Sequence, residues 1–123
     1  MAIEDVLRGL NNIVDNIENK VEIAIYECSA DLLRESNMVC PIDSSDLRKS
    51  GKLKVEKESR EIVGTVSYGD ARATYAEVVH EVRSENYSEG GTGWKYLENP
   101  LKEKSNLYQA KIKNAVEEVI RWI

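Results

Sequence analysis

The residues able to do chemistry near neutral pH are few. His80 is the sole histidine of the 123-residue chain, so any general acid–base relay or catalytic triad must pass through it. Ser44, Ser45 and Ser50 are nucleophiles only by default, because no G-x-S-x-G elbow surrounds them. Capping explains them better. Asp43 or Ser44 can accept from the free N–H groups that open a short helical turn over SDLRKS. Cys28 and Cys40 lack CxxC spacing, which argues against a zinc site or a disulfide framework. Both read as free thiols, with Cys28 as core filling. On an extended chain, the adjacent His80 and Glu81 point to opposite faces and cannot chelate one ion together. His80 therefore reads as a hydrogen-bonded residue at a strand end or an interface. The glycines of GGTGWK do not cradle a phosphate, since Trp94 separates Gly93 from Lys95 and no serine or threonine follows. Tyr87, Trp94 and Tyr96 could stack on bases, but Glu85, Glu89 and Glu98 lie among them and repel a nucleic acid. No catalytic site, metal or cofactor is expected.

These residues must be positioned by two helices and a sheet. Ile3, Leu7, Leu10, Val14, Ile17, Val21, Ala24 and Cys28 recur at alternating steps of four and three, joined by Val6, Ile13 and Ile25. The spacing predicts a helix from near residue 3 to near residue 36, on the order of 50 Å long. Such a helix overhangs so small a core. Part of its seam must then meet the C-terminal helix or a neighbouring subunit. Asn37 is expected to end it in a left-handed conformation, and Pro41 to hold Cys40 extended. KLKVEKE alternates, with Leu53 and Val55 on one face. EIVGTVSYG repeats the pattern with Ile62, Gly64, Val66 and Tyr68, while Val63 falls opposite. The short ESRE link predicts an antiparallel hairpin. ATYAEVVHEVR reads as a turn at residues 75–77 leading into a strand through Val79 and Val82. SENYSEGGTGW is a mobile loop. In ENPLKEKSNLYQAKIKNAVEEVIRWI, Asn99 is the expected N-cap and Pro100 the first helical residue. The seam there runs through Leu101, Tyr108, Ile112, Ala115, Val119 and Trp122. The expected architecture is one α+β domain: a long helix over 1–37, a corner and antiparallel sheet over 38–82, a mobile loop over 83–95, and a C-terminal helix over 96–123 packed on the sheet.

Charge narrows the possible partners. The net charge of −5 resides wholly in residues 1–35, where Glu4, Asp5, Asp15, Glu18, Glu22, Glu27, Asp31 and Glu35 oppose Arg8, Lys20 and Arg34. That surface repels phosphate, so strong nucleic-acid binding is not expected. No run of eighteen apolar residues occurs, and MAIEDVLRGL has neither the basic nor the apolar part of a signal peptide. An intracellular protein of one domain is expected.

Three blocks carry a resemblance. CPIDSSDLRKS resembles the P-[VI]-D-[TS]-G-x-L-R-x-S signature of the small head–tail joining and tail-completion proteins of tailed bacteriophages, also called neck or minor capsid proteins. TYAEVVHE is similar to that family's Y-A-x-[YV]-V-[HE]-E segment, and GTGWKYLENPLKE to its G-x-[AG]-x-[KR]-[YF]-L-x-x-P-L segment. Together they span roughly residues 41–103. Ser45 stands where the family usually has glycine, so a left-handed backbone there would be strained.

The resemblance implies a virion protein without enzyme activity or cofactor, assembled in the host cytoplasm into a ring, six copies being favoured, through which DNA passes. Its neighbours would be neck, connector and tail-tube proteins. By the same resemblance Pro41, Asp43, Ser44, Leu47, Arg48 and Ser50 set the corner. Tyr75, Ala76, Val79, His80 and Glu81 form the central segment, and Tyr96, Leu97, Pro100 and Leu101 begin the last helix. Glu18, Glu22 and Glu27 are the candidate channel or partner face. Tyr87 and Trp94 are the candidate interface loop, apolar enough to order once a neighbour arrives. Two other readings share the pattern: a head-closure or capsid-associated protein, and a non-viral dimeric adaptor that uses the first helix as a coiled-coil seam.

Overall fold

The long apolar seam forms one unbroken helix, α1 (Ile3–Val39), in a computed structural model that describes residues 2–40, 45–59, 61–69, 80 and 95–121. Its 37 residues span about 55 Å. It runs three residues past the expected end. Asn37 stays helical rather than turning left-handed, and its side-chain oxygen accepts from the Tyr68 hydroxyl at 2.7 Å. That bond holds the last turn in place. Cys40 is extended, as its position before Pro41 requires, and its N–H closes the helix on the Ser36 carbonyl at 2.8 Å. The last turn carries no basic residue of its own. Arg48 supplies the missing cation from α2 (Ser45–Lys49), donating twice to the Cys40 carbonyl at 3.1 and 2.6 Å. Ser45 opens α2 with a helical backbone. Positive φ among the described non-glycine residues occurs at Ser59 and Lys95. The turn has no left-handed residue at Ser45, so the family's glycine is not needed there for that reason.

The hairpin is as the alternation predicts. Strands β1 (Lys52–Glu58) and β2 (Glu61–Ser67) pair antiparallel, from Lys52 opposite Ser67 to Glu58 opposite Glu61. Ser59 takes φ 53° at the tight turn. Leu53, Val55, Ile62 and Val66 are half-buried and Val63 is exposed. The sheet lies along α1, and two glycines allow the approach. A Cβ on Gly64 would fall on Ser29 Oγ and within 2.8 Å of Ile25 Cγ2. One on Gly51 would lie 2.9 Å from both Leu33 and Tyr68.

The C-terminal helix, α3 (Glu98–Arg121), packs antiparallel along another flank of α1. The ion pairs fix that direction: Lys104 meets Asp31 and Glu35, Lys111 meets Glu27, and Lys20 meets Glu118. The core joins all three elements where Cys28, Leu32 and Tyr108 are buried, with Val66, Leu97 and Ile112 packed on them. The helix starts one residue before the expected N-cap. Asn99 lies inside the first turn and sends its N–H to the Lys95 carbonyl at 2.9 Å, while Pro100 is buried in a turn where its missing N–H costs nothing. Tyr108 is the buried point of its seam; Leu101 is 45% exposed.

Candidate functional site

Residues scattered along the chain meet at the C-terminal end of α1. Cys40, Leu47 and Tyr96 form a buried cluster, with Val39, Tyr68 and Leu97 packed against it. Tyr96 takes two rings edge-on, Tyr68 and His80, each with centroids 5.0 Å away. The Ser50 hydroxyl donates to the Leu47 carbonyl at 2.6 Å and accepts the Gly69 N–H at 2.9 Å, tying α2 to the end of β2. His80 then reaches the start of α3. Its carbonyl accepts from Lys95 N–H at 2.7 Å, and its Nε2 accepts from Glu98 N–H at 3.2 Å. An imidazole nitrogen that accepts a backbone N–H holds no proton there. His80, not Asn99, caps α3.

The structure therefore brings together Leu47, Arg48, Ser50, His80, Tyr96 and Leu97 from the three blocks of the resemblance. Pro100 is buried at the start of α3, and Leu101 points toward solvent. Pro41, Asp43, Ser44, Tyr75, Ala76, Val79, Glu81, Tyr87 and Trp94 lie outside the described residues. So do the expected strand through Val79 and Val82 and most of the loop over 83–95.

Chemically the node is quiet. Burial pushes the Cys40 thiol up to about 11, against the opposing pull of Arg48, so it is a thiol and not a nucleophilic thiolate at neutral pH. Burial also raises Cys28, whose Sγ donates weakly to the Tyr108 carbonyl at 3.9 Å. Desolvation raises the hydroxyls of Tyr68 and Tyr96 as well. No cluster of three or more His, Cys, Asp or Glu suited to a metal ion occurs among the described residues, and none of the described helices is long and apolar enough to cross a membrane.

The proposed acidic face divides when its partners are seen. Glu18 reaches Lys57 of β1 at 2.7 Å, and Glu27 reaches Lys111 of α3 at 2.6 Å. They hold the sheet and α3 to different flanks of α1. Glu22 lies between them in sequence, half-buried. A partly buried polar network lies between α1 and α3 that the acid count alone does not indicate. Asp31 accepts from the Tyr108 hydroxyl at 2.7 Å, Arg34 at 2.7 Å and Lys104 at 3.1 Å, and Glu35 shares the latter two cations. The Tyr108 hydroxyl above all, then Arg34, depresses the Asp31 carboxyl to about 2. A signal for it exists: Asp31 and Glu35, like Lys104 and Tyr108, are four apart and share a helix face.

The remaining feature is a surface. α1 continues beyond its ion pairs with the hairpin, Lys57 to Glu18, and with α3, Glu118 to Lys20. Ile3, Leu7, Leu10 and Val14 on that overhang are 75, 54, 53 and 52% exposed. Comparison with protein-family models, with curated proteins and with solved structures finds no match to this chain.

Proposed function

We propose that this chain is a structural ring component of the neck of a tailed phage, joining head to tail and passing DNA without gripping it. The observation that carries the reading is the convergence on Tyr96. Leu47, His80 and Leu97, drawn from three separated blocks that resemble the tail-completion family, all belong to one packed node. Blocks selected for a shared scaffold would meet in this way. The exposed seam of α1 supports the assembly half of the reading, since monomers rarely leave so long an apolar stripe in water. Lysines elsewhere in the chain pair with four of the eight acids of α1, Glu18, Glu27, Asp31 and Glu35, so those cations are engaged and α1 presents no cationic excess to hold DNA.

The test has two arms. Native mass spectrometry and negative-stain microscopy of the purified chain should find closed rings of identical copies. Phage particles made without the chain should accumulate as DNA-filled heads and separate tails. Joined, infectious particles made without it would overturn the reading. The same α1 seam also favours the adaptor reading, for which mass measurement would find a dimer and no ring.

A further inference from the structure

We propose that two copies of this chain join edge to edge through β1, antiparallel and centred on Val55, so that one sheet runs through both. The inference stands apart from the ring reading, because a two-fold contact closes on itself and uses none of the α1 overhang. Among the described residues β1 is paired on one side only: β2 takes one edge, and the backbone groups of the other edge are left for a further strand. A hollow of about 560 Å³ borders that edge. Its walls include Leu53 of β1 and Ala30, Leu33 and Asn37 of α1, and no described residue of β2 or α3 lines it.

Charge names the occupant. Leu53, Val55 and Lys57 face α1, so the outward face of β1 carries Lys52, Lys54, Glu56 and Glu58, all exposed. That order reverses its sign about Val55. Residues directly opposite each other in an antiparallel pair share a face, so a second copy that keeps its α1 on the same side of the sheet can shift only by two residues at a time. With Val55 opposite Val55, Lys52 meets Glu58 and Lys54 meets Glu56, and both contacts recur by symmetry. A shift of two in one direction sets Lys54 against Lys54, and in the other Glu56 against Glu56; like charges directly opposite are destabilising. Lysines on an edge strand ordinarily deter pairing, and here the mixed signs deter every same-face register but one. The ion pair that Lys54 makes with Glu56 along its own strand is exchanged for the same pair across the edge. On the inward face Val55 packs on its copy, and the Lys57 stem comes opposite Leu53. Because α1 touches both strands of its hairpin, the step of two strand spacings between hairpins, about 10 Å, also leaves the two α1 helices at packing distance.

The experiment uses the full chain in two forms, one with Lys52→Glu and Lys54→Glu, the other with Glu56→Lys and Glu58→Lys, all at exposed positions. Each form alone sets like charges opposite each other along the whole outward face, and native mass spectrometry at low salt should find pairing weakened about tenfold or more, with the melting temperature of the monomer kept. Mixed in equal amounts, the two forms should pair with each other, since every outward contact is again between opposite charges. Lys54→Cys mixed with Glu56→Cys should give a disulfide-linked pair under mild oxidation, and either alone far less; the native Cys28 and Cys40 are buried. Pairing retained by both single-sign forms would overturn the proposal and assign the contact to another surface. A mixture of the two forms that stays monomeric would overturn it as well. Rings of the unaltered chain that give no link between positions 54 and 56 would overturn the β1 contact and leave the ring reading standing, whereas linked pairs without rings would uphold the contact and count against the ring.

Discussion

Asp31 shows what a single side chain contributes here. Three donors converge on its carboxylate, so its charged form is favoured in the folded state and its pKa falls from 3.8 to about 2. Because the folded carboxyl titrates below the unfolded one, the stabilisation is complete above about pH 5 and fades as the pH drops toward about 2. Asp31→Asn should therefore lower stability by about 1–2 kcal/mol at pH 7, with the difference closing at low pH. Urea denaturation across that range measures it, and a pH-independent difference would contradict it. Gly64 is the other single position that matters. A side chain there meets Ser29 Oγ and Ile25, so Gly64→Ala should cost about 1–3 kcal/mol as β2 is pushed from α1. Adding Ser29→Ala removes one of the two obstacles and should recover part of the loss. Additive effects in that double-mutant cycle would count against the contact.

Among the elements, α3 depends on a residue far from it in sequence. His80 Nε2 accepts the Glu98 N–H, and the same ring packs edge-on against Tyr96. Replacing His80 by Ala should cost about 1–2 kcal/mol and free the first turn of α3. Amide exchange at Glu98 should quicken several-fold while exchange in the middle of α1 tracks only the global loss. Unchanged exchange at Glu98 would show that the cap is supplied otherwise. The end of α1 follows the same logic: Arg48 places its cation on the Cys40 carbonyl because the last turn of α1 has none.

At the scale of the whole molecule, α1 is a beam with two attachments and a free end. The hairpin and α3 grip it from the level of Glu18 to Asn37, by ion pairs at the edges and by the Cys28–Leu32–Tyr108 core between. Residues 2–10 bury almost nothing within the chain. Deleting them should shift the monomer's melting temperature by no more than a few degrees, while removing its capacity to form rings. A large loss of monomer stability would mean that the free end is held by its own chain. Deletion variants of this kind separate assembly from folding, which a charge reversal at Glu18 or Glu27 cannot, because Lys57 and Lys111 already lean on those acids.

Local patterns settled much of this fold in advance. The alternation of fours and threes specifies α1, the period of two specifies β1 and β2, and Pro41 specifies an extended Cys40, since each depends on neighbours within one or two turns of chain. Where α1 stops was decided by tertiary contact. Asn37 could have ended the helix by itself, but Tyr68, thirty-one residues away, holds it helical. The cap of α3 passed from Asn99 to His80 for the same reason: a backbone N–H takes whichever acceptor packing brings within reach. Acid counts along residues 1–35 were legible, yet their meaning was not. Whether Glu18, Glu27 and Asp31 form one free face or bind separate flanks depends on where lysines of β1 and α3 arrive, and only the folded chain brings those residues together.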